Sequence, residues 1–406
     1  NAINDLLENY GKTIDPTHPV YFRQGNDEMM TSFVDDLNAD KIDGVIFLNC
    51  NPVYDHFLGE AIRSGLEKVN LKVSTSNTRD ETAQQVDYLA PDHHYLESWN
   101  DACPAEGLHS LAQPAISPLF NTRQAQSSLL TWIGKEEVDY YSYLKSYWGK
   151  EIFPTQSLEP DPNRFFDQCL HDGIYQIEST SPVDAVLFNA NLDTIAGALA
   201  QKYQPESSGL ELVIYEKVSM GDGTQANNPW LQEMPDPISK ACWDNYLTIP
   251  QSLASELGIE MVESNTQLLQ LKVGGKEFEL PAMIQPGQAN GTVGIALGYG
   301  RTHAGLVANG VGVNAFPLIT DRDGIGQRVC TQGVELKVSG SDYQVPQTQT
   351  HHTFMERDFV IQESTLAEYQ KDPSAGRHHP RIAVSSALEK QLGDKTADNF
   401  IPPRAL

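Results

Sequence analysis

The sequence predicts an α/β domain built on a parallel sheet, followed by a mainly β domain that closes into a barrel. Three observations carry this. Up to about residue 91, strand-length apolar runs alternate with helical stretches, the pattern of βαβ units. Near Leu210 the pattern changes to recurrent short strands separated by turns. Between Gly291 and Asn314 the chain reads GTVGIALGYGRTHAGLVANGVGVN, seven glycines between strand-like flanks. At 406 residues the chain is also too long for one core, since single cores rarely grow beyond about 250–300 residues.

Residues 1–10, NAINDLLENY, have the pattern of an amphipathic helix and not of a signal peptide with a charged start and an apolar core. With Asn1 in place of methionine, they lead us to expect a piece of a longer polypeptide. Lys41 to Pro52 begins as a continuous apolar run and ends in a turn, as a buried parallel strand does when it empties into a loop. A helix is expected over about 54–68, a second strand at Leu71–Thr75, a helical turn at Arg79–Gln84 and a third strand at Val86–Pro91. Ligands of open parallel sheets sit at the carboxyl ends of the strands, which puts Asn49–Asn51 and Thr75–Thr82 on one crevice.

Residues 92–125 lack periodicity and are rich in Pro, Ala, Ser and Gln, so an irregular excursion is expected there. From 126 to 202 the pattern is mostly helical, with proline interruptions around 154–162 and 181–182. Strands are then expected at Glu211–Tyr215, Leu268–Val273, Phe278–Met283, Thr292–Leu297 and Gly333–Val338. Turns are expected at Gly274-Gly275 and Asp323-Gly324. Pro250–Leu257 is expected to be a short helix closed by Gly258. The expected domains are residues 1–205, 206–364, and a polar, proline-containing connector over 365–406 that leads to something further.

Composition narrows the function. Lys and Arg total 28 against 54 Asp and Glu, a net charge of −26, which repels nucleic acid and anionic lipid. No apolar run approaches the ~18 residues that span a bilayer. The cysteines Cys50, Cys103, Cys169, Cys242 and Cys330 are scattered, with no C-x-x-C and no spacing for zinc or an iron–sulfur cluster. There is no G-x-S-x-G elbow and no H-E-x-x-H, and the Asp321, Asp323, Gly324 group lacks the later ligands of a calcium loop.

Glycine density of this kind suits either backbone N–H groups presented to a phosphate or tightly packed barrel turns. A Walker A loop is excluded, because Gly298-Tyr299-Gly300-Arg301-Thr302 has no G-K-[ST] ending.

Three blocks together resemble the carboxy-terminal half of a molybdopterin oxidoreductase of the dimethyl-sulfoxide-reductase superfamily. The first is Asn49-Cys50-Asn51-Pro52 with Ser74 to Ala83 and Asp87 to Asp92. It is similar to the family's asparagine-proline loop after a strand and its Thr…Glu-Thr-Ala…Asp-Tyr-x-x-Pro segment. The second, Gly221 to Pro237, resembles the polysulfide-reductase-like branch. The third is the glycine run with Val313-Asn314, which resembles the barrel that closes over a pterin dinucleotide. The resemblance covers most of residues 40–320. It implies a Rossmann-like first domain and a double-psi-barrel-like second one.

More narrowly, His93 to Asp101, Gln113-Pro114 and Thr350-His351-His352-Thr353 resemble the large iron–sulfur subunit of bacterial alternative complex III. This implies a respiratory quinol oxidoreductase at the periplasmic face of the inner membrane. It also implies as partners an iron–sulfur domain of the same polypeptide, a quinol-binding integral membrane subunit and a multihaem cytochrome c, with no nucleic acid. In that branch the pterin-type region carries no molybdenum cofactor and serves as a scaffold, the clusters lying in a downstream region.

If a molybdopterin guanine dinucleotide were bound, the resemblance assigns its phosphates and base to Asn49, Asn51, Thr75, Thr78, Thr82, Gly298, Gly300, Arg301, Thr302 and Asn314. Short polar groups and a forked cation suit phosphates, whereas glycines at barrel corners and asparagines in turns suit structure alone. An open crevice lined by Arg301 and Asn314 would favour binding, and a crevice filled by side chains would favour the scaffold. The pairs His93-His94, His351-His352 and His378-His379 form no chelate in extended backbone, where neighbours point apart. Trp230 and Trp243 are expected in the interdomain seam. Tyr140, Tyr141, Tyr143, Tyr147 and Trp148 are expected in a core. Two rival readings remain, a catalytic molybdenum reductase for polysulfide or thiosulfate and an unrelated nucleotide-binding module.

Overall fold

The computed structural model describes residues 2–16, 18–22, 25–177, 191–202, 209–321, 327–328, 330–350 and 363–377. The chain forms two compact units, Asn1–Thr348 and Gln349–Leu406. The expectations at 181–182, Asp323-Gly324, His351-His352 and His378-His379 lie outside the described residues.

In the first unit, β1 (Gly44–Phe47), β2 (Leu71–Ser74) and β3 (Tyr88–Leu89) form a parallel sheet in the order β1-β2-β3. Helix α1 (Ala2–Leu6) precedes α2 (Asp27–Asn38), which starts on Asn26, whose side chain accepts from the Met29 amide. The helix expected over 54–68 is two: α3 (Pro52–Asp55) and α4 (Gly59–Leu66), broken where His56 turns extended. The chain returns so closely after the break that only glycine fits at position 59, where a Cβ would stand 2.4 Å from the Val53 carbonyl oxygen. Val34 and Leu37 of α2, Phe47, Val53, and Ile62 and Leu66 of α4 make one core. The sheet is less enclosed than its apolar run implies, for Ile46, Leu48, Leu71 and Tyr88 are exposed. The turn expected at Arg79–Gln84 is a single 3-10 turn at Ala83–Gln85.

The stretch 92–125 is more regular than expected. It contains the hairpin β4 (Asn100–Ala105) and β5 (Leu108–Ala112), turned at Gly107 with φ +72°, and β6 (Ile174–Gln176) adds to its edge. Its positions are half-buried or exposed and mostly small or polar, so no alternation marks it in the sequence. Helices α5 (Ala125–Trp132), α6 (Tyr140–Tyr147) and α7 (Pro162–Asp172) follow. Trp148, Leu144, Phe165 and Phe166 make a second core with Tyr141 against it, whereas Tyr143 and Tyr147 are exposed, contrary to a core role for the whole aromatic group. Helix α8 spans Leu192–Lys202.

Six strands then close a barrel. They are β7 (Leu210–Tyr215), β8 (Leu247–Ile249), β9 (Asn265–Val273), β10 (Lys276–Ile284), β11 (Thr292–Ala296) and β14 (Cys330–Gln344), in the order β10-β8-β11-β7-β14-β9. β12 (Thr320–Asp321) and β13 (Gln327–Arg328) form a separate ribbon. Within the barrel β10 runs parallel to β8 and β11 to β7, while the other neighbours are antiparallel. Leu212 and Ile214, Leu247 and Ile249, Leu269 and Leu271, and Val293 and Ile295 fill the interior. The Gly274-Gly275 turn joins β9 to β10 with both φ positive, as a two-residue hairpin turn requires. Helix α9 spans Pro229–Glu233, and α10 (Gln251–Leu257) ends on Gly258 at φ +69°, as expected. Trp230 is exposed and does not pack a seam, while Trp243 is half-buried and donates its amide to the Gln232 carbonyl. In the second unit, α11 (Leu366–Lys371) begins on a Thr365–Glu368 capping box.

The glycine loops are packing devices. A Cβ on Gly300, at φ +69°, would stand 2.0 Å from the Asn314 amide nitrogen, while one on Gly310, at φ +76°, would meet nothing. We expect Gly310→Ala to cost about 1–2 kcal/mol in urea unfolding. Gly300→Ala should cost more than about 4 kcal/mol or prevent folding. Equal losses would refute the packing argument.

Candidate functional site

The carboxyl ends of β1 and β2 face the loop that follows β11, and the residues assigned to a dinucleotide converge there on a carboxylate with no part in that assignment. Glu81 is 4% exposed and Arg301 5%. Glu81 Oε2 lies 2.8 Å from Arg301 Nη2, and Oε1 lies 3.0 Å from Nε. The same Oε1 accepts the backbone N–H of Thr302 at 2.8 Å and of His303 at 3.0 Å, and Asn51 Nδ2 donates to Oε2 at 2.8 Å. Burial alone raises the Glu81 carboxyl, but the donors from Arg301, Asn51, His303 and Thr302 outweigh it. They hold the group well below the usual carboxylate range. Arg301 Nη1 donates to the Gly223 carbonyl at 2.7 Å, and its guanidinium stacks 4.5 Å from the Tyr54 ring centroid.

Asn51, Thr82, Asn49, Thr75 and Asn314 are similarly engaged. Asn51 Oδ1 accepts from the Thr82 amide at 2.9 Å and hydroxyl at 2.7 Å, and Thr82 Oγ1 accepts from the Val53 amide. Asn49, at φ +49°, donates Nδ2 to Asp92 and its amide to Thr75 Oγ1. Asn314 donates to the Tyr54 carbonyl and caps the Phe316 amide. Tyr54 in turn donates its hydroxyl to the Tyr299 carbonyl at 2.8 Å. Gly298, at φ +92°, packs on Gly221 and Gly223. Thr78 lines the open space beside these groups.

That space is a cavity of about 630 Å³, whose lining includes Asn49, Asn51, Thr78 and Arg301 but not Asn314. Its charged side chains, histidine apart, are Asp55, Asp80, Asp92, Asp222 and Arg301. Asp80 accepts from Ser76 Oγ and the Ala83 amide, and Asp92 from Asn49 and the His93 and Ala125 amides. Burial, and then the neighbouring Asp222, push Asp55 up to about 6, against a smaller opposing pull from Arg301. His93 Nδ1 sits 2.7 Å from Thr122 Oγ1, and His94 caps the turn at Tyr95–Glu97. Among the described residues no group of three or more His, Cys, Asp or Glu could hold a metal ion.

The forked cation and the paired amides that would suit a pyrophosphate already hold a carboxylate, and among the described residues the remaining wall carries four carboxylates and no further Lys or Arg. The residues that matter most beyond the assigned set are Glu81, Tyr54 and Asn245. Asn245 is 1% exposed and ties β11 to the loop by donating to the Ala296 and Val313 carbonyls. Glu81 stands inside a motif visible in the sequence, but its partner lies 220 positions away and no local signal links them.

No family model matches the chain. Over 281 residues, 68% of the chain, it is 25% identical to the menaquinone reductase, molybdopterin-binding-like subunit, of Nitratidesulfovibrio vulgaris (strain Hildenborough). The chain spans 38% of that relative's length. Among solved structures, acetylene hydratase from Pelobacter acetylenicus aligns with a TM-score of 0.47 and 16% identity, over 75% of this chain and 46% of that one. The similarity in sequence is thus to a subunit named for a molybdopterin-binding-like region of a quinone reductase.

The raised Asp55 sets a pH dependence. Because the folded state binds this proton more tightly than the unfolded one, the contribution of Asp55 to stability falls as pH rises from about 4 to about 6. Asp55→Asn should remove that slope and raise the melting temperature at pH 7.5. An unchanged slope in thermal melts between pH 4 and 7 would contradict the assignment.

Proposed function

We propose that the chain is the later part of a molybdopterin-oxidoreductase-type region in a respiratory quinone-linked oxidoreductase subunit, and that this region works as a scaffold without a molybdenum cofactor. The observation that carries the reading is the internal use of the phosphate donors: Arg301, Thr302, Asn51 and Thr82 are spent on Glu81 and on one another. The acidic cavity beside them adds electrostatic repulsion against a dinucleotide. The likeness to the menaquinone reductase subunit supports a respiratory setting.

On this reading the three-stranded parallel sheet belongs to a Rossmann-like domain, and the six-stranded barrel is of double-psi type. The domains divide at about residues 205 and 364, with a connector beyond. The role is mechanical: the region holds an adjoining iron–sulfur domain of the same polypeptide at electron-transfer distance from a quinol-binding membrane subunit and a multihaem cytochrome c. It does so at the periplasmic face of the inner membrane, as in alternative complex III.

The test is the metal and pterin content of the purified full-length subunit. The proposal expects far less than one molybdenum or tungsten, and no extractable pterin, per polypeptide. A stoichiometric amount of either metal with pterin would replace the scaffold by a catalytic reductase.

A further inference from the structure

We propose that the barrel loop at Arg301–His303 is a preformed anion seat, that the Glu81 carboxylate is its resident anion, and that formate or acetate takes the seat when the Glu81 side chain is removed. A guanidinium fork and two consecutive backbone amides aimed at one oxygen pair are the donor set that oxyanions require. Here they converge on the Glu81 oxygens at 2.8–3.0 Å.

The seat belongs to the barrel loop and not to Glu81's own surroundings. Arg301 is held independently by the Gly223 carbonyl and the Tyr54 ring. The loop is held by Asn245 and by the contact of Gly300 with Asn314. Removing the Glu81 side chain would therefore leave a positioned, buried cation without its directly hydrogen-bonded carboxylate, and a small diffusible anion that reaches the seat regains those bonds, against the opposing charge of Asp55 and Asp222 on the cavity wall. The space vacated by Glu81→Ala matches a small monocarboxylate, and Asn51 Nδ2 remains beside it as a further donor. In the native chain the seat joins the parallel sheet to the barrel, so its occupant sets the register between them.

The inference deepens the cofactor-free reading, since it names what fills the anion position. Pterin content and anion rescue are separate readouts, so either can fail alone.

The experiment compares wild type, Glu81→Ala and Glu81→Gln by thermal melting and circular dichroism, titrating sodium formate and sodium acetate against sodium chloride at equal ionic strength. Glu81→Ala should melt roughly 5–15 °C lower than wild type. It should recover with formate or acetate along a saturating, mass-action curve that chloride does not reproduce. Wild type should not respond, and Glu81→Gln, whose side chain still fills the space, should be destabilised without rescue. Should Glu81→Ala be unfolded in chloride, formate or acetate is expected to restore its native spectrum. No recovery at any concentration that leaves wild type folded, or an equal response in wild type, overturns the proposal.

Discussion

A single desolvated carboxylate governs how the two parts of the first unit meet. Glu81 leaves the end of the parallel sheet, enters the barrel loop and satisfies a buried guanidinium and two amides there. Taking both charges out of water costs several kcal/mol per ion, which only close geometry and complete hydrogen bonding can offset. The surrounding structure supplies both: Asn51 orients the carboxylate, Gly223 and Tyr54 orient the arginine, and glycines let the loops approach. A mismatch of an ångström would leave an unpaired buried charge, so the pair specifies one register between sheet and barrel.

The neighbouring contacts read as consequences of that register. Tyr54 packs its ring against Arg301 and Phe316, sends its hydroxyl to Tyr299 and receives Asn314 on its carbonyl. Buried Lys217 donates to the Asp244 carbonyl and lies 4.1 Å from the Tyr246 ring centroid, which steadies the approach to β8. Burial lowers this lysine to about 8, against opposing pulls from Asp236, Asp244 and Cys242. Donors suited to a dinucleotide and donors suited to a rigid seam are the same chemical groups, and here their hydrogen bonds close on each other.

Strands with strong local patterns were legible in the sequence. β1, β2, β7, β9, β10 and β11 fall close to their expected positions because apolar runs or alternation mark them, and α10 ends where Gly258 allows a left-handed cap. β8 carries no such mark, being three residues long and ending one residue before α10, and the β4–β5 hairpin carries none because its half-buried and exposed positions hold mostly small or polar residues. The candidate site was legible in its residue types but not in its pairing. Arg301, Asn51 and Thr82 were visible as phosphate-compatible groups, yet only the fold brings Glu81 across 220 positions to meet them. Trp230 misled because its size suggests burial, whereas α9 presents it outward.

The most direct measurement of this account is a double-mutant cycle on the seam, with Glu81→Gln, Arg301→Gln and the pair compared by urea unfolding. If the buried pair sets the register, each single change is costly, and the double variant is less destabilised than the sum by about 2 kcal/mol or more. Losses that add to within about 0.5 kcal/mol would mean that the two residues act independently, and the central claim would fail.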